Sequence, residues 1–549
     1  MRVDEAIGHR LAEAGVSHVF GVVGSGNFHV TDALRQSGAR FIAARHEGGA
    51  ATMADAFARM SGEVGVLSVH QGCGLTNAVT GIAEAAKSRT PLLVLAPQAV
   101  LRNSNFWIEQ QQLAIAVGAV ARTVTSADTA VAEALAALNE ARDTRRTVLL
   151  NLPIDVLAHE ISGEGDYSTH PTSGTSAVLP DAEAVAALVD LLLAARRPVF
   201  VAGRGSRGKA GAEALTRLAG EVGALVGTSA VANGLFTGNP WNLGIVGGFS
   251  TPATVELVHG ADLIIGWGCS LNMWTMRGGK LISDGATVVQ IDIESEALGA
   301  HRALGLGVIG DVASTAGAVL AHLAARGEQP REAYRTAEVA ARIALGAHWT
   351  DVPVAIEDTG DRIDPRVLSK ALDAALPDER VVAVDSGNFM GYPSAYLRVP
   401  DENAFCFTQA FQSIGLGLAT GIGAAIAQPD RLPVVACGDG GFLMGVSELE
   451  TVVRLQLAMI IVVYNDAGYG AEVHHFGPEG HDLATVRFPD VDIAALARSL
   501  GCEAATVRRP ADLEAVTTWL TGPRDRPLVI DAKTRQDLAA WWLTEAFGH

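Results

Sequence analysis

The sequence predicts an α/β protein of three domains, each a mostly parallel sheet flanked by helices. Three observations carry this reading. A chain of 549 residues is too long for one hydrophobic core, which stops growing at roughly 250–300 residues. Short apolar runs alternate with helix-period patterns along the chain, as parallel α/β units require. Two stretches, 159–180 and 326–364, are rich in turn formers or charged and weakly periodic, and they cut the chain into pieces of similar size. The division expected is 1–165, 180–325 and 362–535, with a tail at 536–549.

In the first piece, strands are expected at 18–23, 41–44, 64–69 and 91–96. The first leads into a Gly24-Ser25-Gly26 turn and the second into a helix opening near Glu47. The third leads into Gly72-Cys73-Gly74 and a helix from Leu75. The middle piece offers strands at Pro198–Ala202, 261–266 and 287–293. Its Gly203-Arg204-Gly205-Ser206-Arg207-Gly208 is a literal GxGxxG, a weak signal outside the first βαβ unit of a chain. The third piece begins with a strand at 381–384. The tail at 538–547 has the spacing of an amphipathic helix with Trp541 and Trp542, expected to pack onto the body rather than act as a lid.

Composition narrows the function. Forty-one basic against 60 acidic side chains leave a formal charge of −19, which repels phosphate backbones and anionic lipids, so neither nucleic acid nor membrane is an expected partner. No apolar run approaches the ~18 residues of a membrane span, and Met1-Arg2-Val3-Asp4-Glu5 does not open like a leader. Cys73, Cys269, Cys406, Cys437 and Cys502 are dispersed without CxxC spacing, which argues against a disulfide framework or a zinc site. The reading is a cytoplasmic protein.

The strongest chemistry lies in the third piece. An apolar strand ends in Gly438-Asp439-Gly440-Gly441, a helix with apolar Leu449, Val452, Val453 and Leu457 follows, and a second strand at 459–464 ends in Asn465-Asp466. One βαβ unit therefore sets Asp439 and Asp466 at the carboxyl ends of adjacent strands, where open parallel sheets bind ligands. Mg²⁺ takes hard oxygen ligands in octahedral geometry and keeps phosphate oxygens among them. Glycines beside Asp439 let backbone approach a diphosphate, and the following helix offers its N-terminus to the charge. Gly-Asp-Gly alone is a common turn; the Asn-Asp one crossover later is what makes the pair specific.

Gly-Asp-Gly followed one crossover later by Asn-Asn is the thiamine-diphosphate signature, and this pair resembles it. The chain resembles the superfamily of acetolactate synthase, benzoylformate decarboxylase and pyruvate decarboxylase over nearly its whole length. The resemblance implies a thiamine-diphosphate-binding fold in the first and third domains and a Rossmann-like middle domain. It implies thiamine diphosphate with Mg²⁺, the metal held by Asp439, Asp466 and the carbonyl of Gly468. Gly438, Gly440, Gly441 and Tyr469 would complete the diphosphate loop. Asp466 stands where the family has its second Asn, and aspartate remains a competent oxygen ligand.

Further motifs follow the same resemblance. In Arg45-His46-Glu47-Gly48, Glu47 matches the acid that exchanges a proton with the cofactor's aminopyrimidine ring; the alternative is a first-turn residue favoured by the helix dipole. Gly72-Cys73-Gly74-Leu75-Thr76-Asn77 is similar to a Gly-Pro-Gly-x-Thr-Asn turn, with Cys73 replacing Pro and Asn77 near the cofactor. Gln412-Ser413-Ile414-Gly415 resembles the segment whose apolar side chain, here Ile414, wedges the cofactor into its bent form. Ser386-Gly387-Asn388 resembles a diphosphate-contacting loop. The turn containing Gly24 and Ser25 looks most like that of benzoylformate decarboxylase. Glu472 stands where simple decarboxylases place an acid beside the reacting carbon. His70 is the first candidate for proton transfer, with His29, His474 and His475 behind it. Glu109-Gln110-Gln111-Gln112 falls where the family has a substrate-side glutamine, with its register open.

The resemblance leaves the reaction open. A carboligase or lyase of acetolactate-synthase type is the first reading, on a 2-oxo acid or an aldehyde or ketone. A non-oxidative 2-oxo-acid decarboxylase is the alternative, with Glu472 as its best evidence. A catalytically silent binding homologue is the remote third, argued against by intact Glu47, Asp439 and Asp466. FAD binds the middle domain in some relatives, but Trp267-Gly268-Cys269-Ser270-Leu271-Asn272 does not match them, so FAD is less expected than not. The active unit expected is a homodimer or homotetramer with sites at the subunit interface.

Overall fold

The computed structural model describes residues 1–161, 177–355 and 360–547, with side chains to 544. Most of the first expected linker and part of the second thus lie outside the described residues. Within them stand three six-stranded, wholly parallel sheets.

The first sheet comprises β1 (His18–Gly21), β2 (Arg40–Ala43), β3 (Gly65–Ser68), β4 (Leu92–Gln98), β5 (Val120–Thr123) and β6 (Thr147–Pro153), in the order β2-β1-β3-β4-β6-β5. The second holds β7 (Pro198–Ala202), β8 (Leu225–Thr228), β9 (Asn242–Ile245), β10 (Leu263–Trp267), β11 (Thr287–Asp292) and β12 (Leu306–Ile309), in the order β12-β11-β10-β7-β8-β9. The third holds β13 (Arg380–Val384), β14 (Phe405–Phe407), β15 (Leu432–Gly438), β16 (Ile460–Asn465), β17 (Glu503–Val507) and β18 (Leu528–Lys533), in the order β14-β13-β15-β16-β18-β17. Every residue of β7, β10, β13, β16 and β18 is buried, because helices cover both faces of a parallel sheet. That produces the continuous apolar runs legible in the sequence. The first strand stops two residues before its expected end. Gly21 packs so tightly on β3 that a Cβ there would lie 2.2 Å from the Ser68 carbonyl oxygen, and the chain then leaves the sheet.

The first and third domains share one apolar core that runs from Phe20 through Ile422 to Val529. At its centre the helix Glu47–Ser61 crosses the helix Gly417–Ala427. A Cβ on Gly423 would sit 2.2 Å from the Met53 carbonyl, so glycine sets this close crossing. The C-terminal helix Trp541–Phe547 packs on the body: Trp542 is buried, and Trp541 Nε1 donates to the Gly248 carbonyl at 3.1 Å. No helix among the described residues is long and apolar enough to cross a membrane.

Candidate active site

Asp439 opens a helix at the carboxyl end of β15, and Asp466 follows the end of the neighbouring β16. Their carboxyl groups hydrogen-bond each other. Burial pushes Asp439 up to about 6, against the pull of the Gly440 and Gly468 amides. Burial and the Asp439 charge hold Asp466 well above the usual carboxylate range. Two acids this close cannot both ionise without a cation between them. Among the described residues no cluster of three or more His, Cys, Asp or Glu could hold a metal. Metal binding at this pair would therefore need backbone and ligand oxygens as well, which is the donor set Mg²⁺ shares with a diphosphate.

The backbone around the pair is cut to admit a ligand. A Cβ on Gly440 would lie 2.7 Å from the Tyr469 ring, one on Gly441 2.3 Å from Asp385 Oδ2, and one on Gly470 2.2 Å from Asp466 Oδ2. Ala467, between Asp466 and Gly468, has φ +56°. Asn465 fixes this turn: its Oδ1 accepts from the Ala467 amide at 3.2 Å while Nδ2 donates to Asp531 at 2.9 Å. The first Asn of the motif is thus a positioning residue.

A cavity of about 950 Å³ opens from the pair and is lined by Asp439, Asp466, Glu472, Ile414, Trp542 and Arg204. Gly387, Asn388, Gln412, Gly438, Gly468 and Tyr469 also face it. Two buried acids absent from the sequence reading hold these loops. Asp385, fully buried, accepts from the amides of Ser386 (2.9 Å), Gly415 (3.1 Å) and Leu416 (3.2 Å) and so ties the Gly387-Asn388 turn to the Ile414 loop. Burial raises it to about 6. Glu84, from the first domain, accepts from Ala410 (3.0 Å) and Phe411 (2.6 Å) and pairs with Arg59 at 2.8 Å. Asn388 is fixed from the tail, where the Ala540 amide donates to its Oδ1 at 3.1 Å and Trp542 Nε1 to its carbonyl at 3.0 Å. Arg204 stands in the cavity wall with no carboxylate of the described residues within 4.0 Å. Burial, then nearby Arg89 and Arg59, lower it to about 10.

The remaining expected residues gather in a second cluster, at the carboxyl ends of β1, β2 and β3. Asn77 Nδ2 donates to Glu47 Oε2 at 3.0 Å, and the Gly26 amide donates to His70 Nδ1 at 3.2 Å. A Cβ on Gly24 would strike the His70 ring at 2.7 Å, so the turn bearing exposed Ser25 lies across that histidine. Burial lowers the His70 pKa, against the opposing pull of Glu47. None of Ser25, Glu47, His70 and Asn77 lines the cavity that holds Asp439. Within 109–112, Gln110 is buried, with Nε2 donating to Asn151 Oδ1 at 3.0 Å and Oε1 accepting from the Gly72 amide at 3.3 Å. Gln71 went unnoticed in the sequence; its Oε1 is buried without a hydrogen-bond partner among the described residues. His29 lies on the surface near Glu5, and His474 follows Glu472 on the helix Gly470–Phe476.

The middle-domain GxGxxG serves loop packing. Gly205 N donates to the Gly268 carbonyl at 3.0 Å, and Gly208 N, at the start of the helix Lys209–Val222, donates to Glu402 Oε1 at 3.0 Å. A carboxylate of the third domain thus occupies the helix N-terminus that a dinucleotide phosphate would use. This arrangement does not support FAD.

Comparison with known proteins agrees with this geometry. Residues 1–117 match the thiamine pyrophosphate enzyme N-terminal TPP-binding domain, 185–320 the central domain and 385–532 the C-terminal TPP-binding domain. A sulfoacetaldehyde acetyltransferase of Rhodobacter capsulatus is 29% identical, over 98% of this chain and 95% of its own. A protein named probable 2-ketoarginine decarboxylase, from Pseudomonas aeruginosa, is 30% identical over 93% and 89%. The catabolic acetolactate synthase of Raoultella terrigena is 29% identical over 95% of each chain. Three matched domains and relatives aligned end to end place the chain in the family of thiamine-pyrophosphate-dependent enzymes.

Proposed function

We propose that the chain is a carbon–carbon lyase or carboligase of acetolactate-synthase type, acting on a 2-oxo acid or an acyloin-like substrate. The observation that carries this is the cavity shared by the Asp439/Asp466 pair, Glu472 and the deep cation Arg204. One end offers carboxylates to a metal diphosphate, and another offers an anionic substrate the Arg204 guanidinium, which donates to the Ser88 carbonyl and has no carboxylate partner among the described residues. Relatives named as acetyltransferase and acetolactate synthase support transfer to an acceptor.

In this reading Asp439, Asp466 and the Gly468 carbonyl hold Mg²⁺, and Gly438, Gly440, Gly441, Asn388 and Tyr469 receive the diphosphate. When bound, thiamine diphosphate supplies the electron sink for breaking or making the bond beside a carbonyl. Ile414, on a loop fixed by Asp385 and Glu84, would pack against the cofactor. Glu47, oriented by Asn77, would hold the proton that the cofactor's aminopyrimidine ring takes up and returns. His70, held by the Gly26 amide, and Glu472 serve proton transfer on the substrate side. Because Glu47 does not line the cavity of its own chain, the site is completed by a second copy, as a homodimer or a homotetramer.

A second reading rests on Glu472, which faces the cavity from the first turn of the helix Gly470–Phe476, and on the relative named as a decarboxylase. Here Glu472 protonates the product carbon and an aldehyde leaves. Product analysis with pyruvate, alone and with added aldehyde, separates the two. Acyloin or acetohydroxy acid is expected. Aldehyde alone under both conditions refutes the ligase reading.

A further inference from the structure

The turn that presents Glu47 is held in part by another domain. β2 ends at Ala43, and Glu47 opens the next helix, so residues 44–46 set where its carboxylate stands. The helix Glu448–Arg454 of the third domain grips this turn at several points. Glu448 Oε1 accepts from the Arg45 and His46 amides, each at 3.0 Å, and Oε2 accepts from Thr451 Oγ1 at 2.7 Å. Glu450 Oε2 receives Arg45 Nε at 2.6 Å, and Arg454 Nη2 donates to the Ala43 carbonyl. Glu448 is 2% exposed. Its carboxylate lies under the start of the Glu47 helix, where a Cβ on Gly49 would meet Oε1 at 2.5 Å.

A fully buried carboxylate is costly in an apolar setting and persists where donors converge on it. Here two of its donors are the consecutive amides just before Glu47. Those amides precede the helix's own hydrogen-bonding ladder; without Glu448 they would be part-buried donors that lose their acceptor. The turn would then be free to shift, and proton exchange depends on sub-ångström placement of the acid.

We propose that Glu448 is a positioning residue for Glu47, fixing through the Arg45 and His46 amides the turn that aims the activating carboxylate. The inference rests on the proposed role of Glu47. It assigns Glu448 no contact with substrate or cofactor. What matters is an oxygen that accepts both amides, and the negative charge is secondary.

The test is thiazolium C2 hydrogen–deuterium exchange in the holoenzyme, read beside amide exchange of the 43–50 segment in the cofactor-free and loaded protein. Glu448→Ala should slow C2 exchange about tenfold or more and speed amide exchange at 45 and 46, while cofactor affinity changes little. Glu448→Gln keeps an oxygen for both amides and should return C2 exchange to within about threefold of the parent. A purely structural role would move thermal stability and leave C2 exchange per bound cofactor unchanged. Should Glu448→Ala not fold, Arg454→Ala removes the grip on Ala43 together with Arg454's bonds to Glu450 and Thr451 while leaving Glu448 in place, and a smaller slowing in the same direction is expected. Unchanged C2 exchange in the folded variant, or Gln as impaired as Ala, overturns the proposal. Glu47→Gln is the control: if it leaves C2 exchange unaltered, the Glu47 reading fails. If it slows exchange while Glu448→Ala does not, only the positioning role fails.

Discussion

Asp439→Asn should stabilise the cofactor-free protein while weakening metal binding, and the gain should grow with pH. Burial raises the Asp439 carboxyl from an ordinary 3.8 to about 6 in the folded chain. The native state then holds this proton more tightly than the unfolded state, so ionisation costs stability. The cost is absent below pH 3.8, grows as pH rises and is complete above about 6. Two pKa units at 1.36 kcal/mol each make it about 3 kcal/mol at pH 8 and about half of that at pH 5. Asparagine keeps an oxygen for the Gly440 and Gly468 amides and offers its NH₂ to Asp466, so little is lost in exchange. The assay is urea unfolding of chelator-treated parent and variant between pH 5 and 8. With thiamine diphosphate and Mg²⁺ added at roughly 1,000 times the dissociation constant, the order should reverse, since the parent gains roughly 4.1 kcal/mol and the variant, with a weaker metal ligand, gains less. A cofactor-free variant less stable than the parent at pH 8, or a gap that does not widen with pH, refutes the account.

Other expectations follow from the same geometry. Glu47→Gln should retain cofactor yet slow C2 proton exchange about 10²–10⁴-fold, measured by NMR, because glutamine keeps the shape but not the acid. Glu472→Gln should leave C2 exchange intact and change product distribution, read by product analysis with pyruvate and an aldehyde. Arg204→Met should raise KM for an anionic substrate more than it lowers kcat; equal KM values would remove Arg204 from substrate binding. Glu47→Gln and Asp439→Ala, each inactive alone, should regain activity when dissociated, mixed and reassembled, because hybrids would contain a site with both residues. No recovery from demonstrably mixed dimers would refute the shared site.

The parts of this molecule legible in the sequence are those whose cause is local. Buried strands such as Ile460–Asn465 read as apolar runs because both faces are covered. Gly438-Asp439-Gly440-Gly441 reads as a ligand turn, and approaches of 2.7 Å or less to a Cβ at Gly440 and Gly441 account for glycine at those two positions. The edge strand Val120–Thr123 escaped: it is half-exposed along its length and so carries no apolar signature. Asp385, Glu84 and Glu448 escaped for a different reason. Each looks like an ordinary acidic residue on a strand end or helix, and each acquires its role from amides 30 to 403 positions away.

The separation of Glu47 from the metal-type pair has a cause in how the two outer domains pack. The helix that Glu47 opens is the one that crosses Gly417–Ala427 at glycine-limited distance, and the turn before it is clamped by Glu448, nine positions beyond Asp439. These contacts join the domains through a common core, so their relative placement is not adjustable by side-chain motion. Glu47 therefore stays outside the cavity of its own chain while that core is intact. If Glu47 acts on a cofactor held by Asp439, the two belong to different copies, and the rigidity that keeps them apart in one chain is what would align them across two.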